Sequence, residues 1–183
     1  MMSHKRLLVL GAVAIVLASA GLVVAQAPEA PKPTPEHAKL AYFVGSWTGD
    51  GEMKPSPIGP GGKMKMKDHC EWFEGKFAVV CHNEGTGPLG PMKGIGILSY
   101  NAEEKVYTYY GVDNTGMTMM SVPRGTVNGK TWTYTGEDKM QGQVIKSRYT
   151  VQEVSPTSYT FKWEMQGEGG AWLTIAEGTS KKS

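Results

Sequence analysis

From Gly45 to the C-terminus, turn-forming residues cut the chain into short apolar or alternating runs roughly every 8–15 residues, and this most restricts its fold. The runs fall at 46–53, 63–73, 77–84, 92–100, 106–112, 117–127, 131–136, 143–154, 158–166 and 172–180. Between them stand Gly75-Lys76, Asn101 to Glu104, Asp113 to Gly116, Asn128-Gly129, Ser155 to Thr157 and Gly167 to Gly170. Asn128-Gly129 is the strongest hairpin signal of the set. Sequential strands with short connections make an antiparallel meander, and a meander of this length gains by closing, because closure removes its exposed edges. The expected fold is therefore all-β: a closed up-and-down antiparallel barrel of about ten strands with a short N-terminal helix.

The helix is expected just before the first strand. Thr34 suits the N-cap, Pro35 the first helical position and Glu36 the positive end of the helix dipole. Leu40, Phe43 and Val44 share a face, and Gly45 ends the segment. Ahead of it, QAPEAPKPTP at 26–35 is a semi-rigid extended tether. Residues 1–25 have the form of a signal peptide: Lys5 and Arg6, then an uncharged run from Leu7 to Ala25, ending in the small-x-small pattern Val23-Val24-Ala25. The expected organisation is a signal peptide over 1–25, a tether over 26–35 and one barrel domain over 36–183, in a periplasmic or secreted protein that is not held in the membrane once cleaved.

Cleavage would leave 158 residues with 17 Lys+Arg against 17 Asp+Glu. That balance offers neither the basic patch that nucleic acid requires nor a polybasic attraction to lipid. The length suits one domain with its own core.

Alternation assigns faces. Tyr159, Phe161, Trp163 and Met165 point one way along their strand, and Ser158, Thr160, Lys162 and Glu164 the other. Along 63–73, Met64, Met66, Cys70 and Trp72 oppose Lys65, Lys67, His69 and Glu71. A two-residue type II′ turn at Gly75-Lys76 pairs residues whose numbers sum to 151 and sets Cys70 against Cys81, Lys67 against Glu84 and His69 against His82. In an oxidising compartment the cysteines read as a cross-strand disulfide. With this turn they occupy a hydrogen-bonded pair, whose Cα atoms stand ~5.5 Å apart.

No catalytic constellation appears. Cys70 and His69 are adjacent and point to opposite faces, so they form no dyad. His69 and His82 are weak metal candidates, since zinc wants three or four protein ligands; Glu71 and Glu84 are the nearest supplements. Methionine pairs at 64/66 and 117/119 suit either Cu(I) or an adaptable apolar interior. Asp50 and Glu52 share a face but have no other support as a catalytic pair. Gly49-x-Gly51 and Gly94-x-Gly96 are not phosphate loops and mark bends in strands.

Gly45-Ser46-Trp47 after a short helix resembles the opening of lipocalins and other calycins. The resemblance implies that Trp47 plugs one end of the barrel. Val44 to Glu52 also resembles the opening of nitrobindin-type haem barrels, but no histidine follows His82 to carry their haem. Over roughly 36–181 the chain most resembles a bacterial family of unknown function, DUF1579, in Cys70-Glu71-Trp72-Phe73-Glu74-Gly75, Gly96 to Tyr100 with Glu104 to Tyr107, Thr131 to Tyr134 and Tyr159 to Glu164. Lipocalins also pack a last-strand arginine on the plug tryptophan. The run 172–180 has none, so Arg148 or Arg124 would have to substitute.

These features imply non-covalent binding of a small apolar or amphipathic molecule inside the barrel, with no cofactor. Met66, Trp72, Tyr159, Phe161, Trp163 and Met165 are its candidate lining. The rival readings are a structural module with a filled core, Met/His-based copper handling, and an enzyme whose site the sequence does not display.

Overall fold

A computed structural model describes residues 29–115, 118–119, 121–140 and 142–183. The expected signal peptide and the first residues of the tether lie outside these. So does Met117 of the methionine pairs. Among the described residues, no helix is long and apolar enough to cross a membrane.

Thr34 precedes helix α1, Pro35–Lys39, and a 3-10 turn, Leu40–Phe43, continues it. The cap is reciprocal in an unusual way. The Thr34 backbone N–H donates to His37 Nδ1 at 3.0 Å, so a histidine takes the place of the common glutamate. His37 is buried, with Phe77 and Tyr100 edge-on at 5.2 and 5.4 Å. Leu40 and Phe43 bury the opposite side of the turn, and full burial of one such side chain contributes about 1.5–3 kcal/mol.

The strands then follow in chain order: β1 Gly45–Met53, β2 Gly62–Trp72, β3 Ala78–Gly87, β4 Gly90–Asn101, β5 Val106–Asp113, β6 Thr118–Met119, β7 Arg124–Asn128, β8 Thr131–Met140, β9 Gln143–Ser155, β10 Ser158–Gln166 and β11 Trp172–Lys182. All pairings are antiparallel. β1 pairs with β2 and β11, β5 with β7, and β8 with β9, which closes a ten-stranded barrel. β6 is a two-residue addition to β8.

Three expectations need correction. The run 117–127 is not one strand. Pro123 lacks an N–H to give a ladder, so the chain leaves the sheet after β6 and re-enters at Arg124. The Ser121 hydroxyl bridges the break by accepting the Glu137 N–H at 3.3 Å.

The second correction concerns the hairpin between β2 and β3. Its register is as expected, with Cys70 opposite Cys81 and His69 opposite His82. Its turn is longer: Phe73 N–H donates to Ala78 O, and Gly75 and Lys76 both take positive φ within the loop. The added residues invert the hydrogen-bonding alternation, so Cys70 and Cys81 form a non-hydrogen-bonded pair. Their Cα atoms stand 4.0 Å apart, and the disulfide is formed.

Thirdly, Arg148 and Arg124 do not cover Trp47. β11 runs beyond 180, and Lys182 places its Nζ 5.0 Å from the Trp47 ring centroid. Arg148 lies over Trp172 instead, and Arg124 pairs with Glu104.

The main core sits at the helix end of the barrel. Leu40, Phe43, Trp47, Val79, Leu98, Tyr107, Trp132, Val151 and Tyr159 belong to it, and so do both cysteines. Trp47 is 2% exposed, donates its indole N–H to Phe43 O at 2.7 Å and meets Tyr159 at 4.9 Å.

Candidate lumen site

The disulfide fixes which residues face inward. Cys70 and Cys81 lie in the core, so alternation places Met64, Met66, Asp68 and Trp72 of β2 inside with them, and Val79, Asn83 and Gly85 of β3. The outward residues of β2, Lys63, Lys65, Lys67, His69 and Glu71, are all exposed.

Of the candidate lining, Tyr159, Phe161 and Met165 are buried, while Met66, Trp72 and Trp163 are half-buried. Tyr159 and Phe161 belong to the main core, Trp72 packs against it, and Tyr159 also packs on Trp47. Phe161 stacks on Tyr149 at 6.2 Å, and Trp163 is the register partner of Tyr149. Glu164, expected on a wet face, is buried, because Arg148 holds it with Nε at 2.8 Å and NH2 at 2.7 Å. A register shift between Trp163 and Glu164 leaves Ile175 of β11 without a partner in the β10 ladder.

The inner wall contains a polar group that the sequence reading passed over. Asp68 stands between Met66 and Cys70 on the inner face of β2, and Asn83 Nδ2 donates to its Oδ1 at 2.7 Å. Burial raises the carboxyl pKa, and the Asn83 hydrogen bond offsets part of that rise. Asp68 makes no ion pair among the described residues.

Tyr109, Tyr149 and Tyr159 feel the charge of this carboxylate. Burial raises the Tyr109 hydroxyl, and the charges of Asp68 and Asp113 raise it further. Tyr149 is 39% exposed as a residue, yet its hydroxyl end is enclosed. Burial first, then Tyr159, Tyr109 and Asp68, push it well above the ordinary phenol value. Tyr159 is pushed up to about 12, chiefly by burial, with its hydrogen bond to Ser180 acting the other way. The Tyr134 hydroxyl is buried and has no hydrogen-bond partner among the described residues.

Glycines make room for these rings in the wall. A Cβ at Gly125 would come within 2.6 Å of the Tyr134 ring, and a Cβ at Gly96 or Gly111 within 2.9 Å of Tyr109. Gly96 thus makes room for the Tyr109 ring, whereas a Cβ at Gly94 would meet Val112 O at 2.7 Å. The signal for Asp68 was present in the sequence: one carboxylate interrupts the apolar face Met64, Met66, Cys70, Trp72.

β1 to β5 border a broad open hollow of about 940 Å³, lined by exposed Ser46, Lys67, His69, His82, Glu84 and Lys93 and also by Asp68, Asn83 and Asp113. His69 and His82 face each other here, and Ser46 Oγ lies 3.0 Å from His69 Nδ1. Among the described residues, no three histidine, cysteine or carboxylate side chains gather as a metal site. Asp50 and Glu52 lie on the exposed face of β1, where Lys54 pairs with Glu52 at 2.9 Å.

The barrel is similar to two solved structures. Rv2717c from M. tuberculosis is 13% identical, with a TM-score of 0.59 over 82% of this chain and 98% of that one. The S-type phycobiliprotein lyase CPES from Guillardia theta is 13% identical, with a TM-score of 0.57 over 81% and 92%. At that identity the likeness is one of fold. No curated protein matches the chain in sequence. The model of the family described as "Protein of unknown function (DUF1579)" matches residues 32–182, and the chain belongs to that family.

Proposed function

We propose that this is an exported protein whose barrel binds one small amphipathic molecule in its lumen. The observation that carries the reading is the Asp68–Asn83 pair, a hydrogen-bonded carboxylate on an inner face of β2 otherwise made of Met64, Met66, Cys70 and Trp72. A half-buried carboxylate without a cation costs stability, and such costs concentrate at functional sites. The orphan Tyr134 hydroxyl adds a second polar group that the protein leaves unused. A ligand with an apolar body gains ~25 cal/mol per Å² of apolar area buried, and a few polar contacts fix its orientation. The fold shared with a phycobiliprotein lyase is in keeping with small-molecule handling.

Export is the other half of the proposal. The Cys70–Cys81 disulfide suits an oxidising compartment, and residues 1–25 read as a signal peptide cleaved after Ala25.

The test is titration with a neutral environment-sensitive dye such as Nile red, read by dye emission and tryptophan quenching. One dye per chain is expected. Trp163→Ala on the inner face should weaken binding more than Lys162→Ala on the outer face. Failure to bind, or equal effects of the two changes, would overturn lumen binding.

A further inference from the structure

The charges on the inner face have one sign wherever a ligand could be held. Alternation from the core residues of each strand places four carboxylates inward, Asp68, Asp113, Asp138 and Glu153. Among the described strand residues, the inward cation is Lys182, already seated over Trp47 at the closed end. Glu153 is also spoken for, accepting the Trp132 indole N–H at 2.6 Å. Asp113 accepts the Thr115 N–H at 2.7 Å.

Asp68 is different. Its register row runs Lys182, Trp47, Asp68, Asn83, Gly94, Asp113; Lys182 is seated over Trp47 two strands away, and the neighbours of Asp68 on the adjoining strands, Trp47 and Asn83, carry no positive charge. Asn83 occupies Oδ1, and among the described residues none donates to Oδ2. The surrounding surface is aromatic: Tyr109 and Tyr134 meet at 6.4 Å, and Tyr149 stacks on Phe161. A carboxylate within a group of π faces attracts a cation twice over, by charge and by the ring quadrupoles. It repels an anion from the same place.

We infer that the lumen selects an apolar molecule bearing a positively charged nitrogen, with that nitrogen held by Asp68 and the Tyr134 hydroxyl and its apolar body along the aromatic wall. The inference rests on the lumen-binding proposal and narrows it. Simple fatty acids, which share the apolar body but carry the opposite charge, are excluded as preferred ligands.

The experiment compares decylamine, decanol and decanoate, each below its aggregation threshold, by displacement of bound Nile red near neutral pH. Decylamine should bind roughly tenfold or more tightly than decanoate, with decanol between. Asp68→Asn keeps the shape of the side chain and should abolish the amine preference while leaving decanol affinity within about twofold. Tyr134→Phe, which keeps the ring, should reduce decylamine affinity and spare decanol. Near-ultraviolet circular dichroism confirms that each variant is folded. If Asp68→Asn does not fold, Tyr134→Phe and the wild-type ranking decide. Decanol binding without an amine preference, or a preference that Asp68→Asn leaves intact, overturns the inference and leaves lumen binding standing. Binding of none of the three, together with no binding of Nile red, overturns lumen binding itself.

Discussion

Asp68 is held where it costs the fold something. Its carboxyl pKa is raised in the folded chain because burial disfavours the charged form. Between the ordinary carboxylate value and that raised value, the folded state binds more protons than the unfolded state. Stability contributed by the neutral carboxyl is therefore full in acid and lost as pH rises through the window. Asp68→Asn removes this titration and keeps a hydrogen-bonding group beside Asn83. The groups that face Asp68, namely Asn83, Tyr109, Tyr149, Tyr159 and Asp113, are unchanged in the variant, so subtracting the two stability curves isolates the one carboxyl. Urea unfolding across the acid-to-neutral range should show the variant more stable at neutral pH and the two curves converging in acid. Parallel curves, or a less stable variant at neutral pH, would show that Asp68 carries no such cost. The same residue marks where the sequence stopped being legible. Alternation assigned the face of Met64, Met66, Cys70 and Trp72 correctly, and by the same rule Asp68 belonged to it. Charge alone suggests solvent, and only the closed wall shows that this position is enclosed.

The strands were legible because alternation has a period that no other element imitates. Their interruptions were not. Pro123 lies inside a run of strand-forming residues, and its missing N–H matters only where a neighbouring strand needs it. The β2–β3 hairpin shows the same division. Matching residues fixed the sum of paired numbers, but the turn length decides which pairs exchange hydrogen bonds, and that set the 4.0 Å Cα spacing of Cys70 and Cys81. The cysteines are separated by 11 residues, so the bond closes a short loop. In the chain-entropy model it contributes roughly 3 kcal/mol. Replacing both cysteines with alanine also removes two buried sulfurs from the main core, and each such truncation adds its own packing cost. The double variant should lose about 3 kcal/mol or more in urea unfolding while keeping the wild-type far-ultraviolet circular dichroism, since the core at the helix end is otherwise intact. A loss well below 1 kcal/mol would show that the disulfide adds little to this hairpin.

A closed barrel is only as tight as its shortest ladder. β8 and β9 pair over ten residue positions and β4 and β5 over eight, whereas β5 and β7 share two, Tyr107 with Gly125 and Thr108 with Arg124. This seam follows directly from the break at Pro123, which moves the first part of the expected strand onto the end of β8 as β6. The tyrosines of the site flank it. Tyr109 lies on β5, and Tyr134 on β8 packs its ring against Gly125 of β7. Local opening takes the path that breaks the fewest hydrogen bonds and exposes the least apolar surface, and here that path is the β5–β7 seam. The opposite wall, β1 to β3, has long ladders on both sides and the disulfide across it. Native-state hydrogen exchange should therefore find amides of β7 exchanging through a local opening, faster than those of β2 and β3, which wait for global unfolding. If decylamine seats its nitrogen between Asp68 and Tyr134, its presence should slow exchange at β7 more than at β3, because it bridges the two walls that the opening separates. Uniform protection around the barrel, or slower exchange at β7 than at β2, would show that the short ladder is not where the wall gives way.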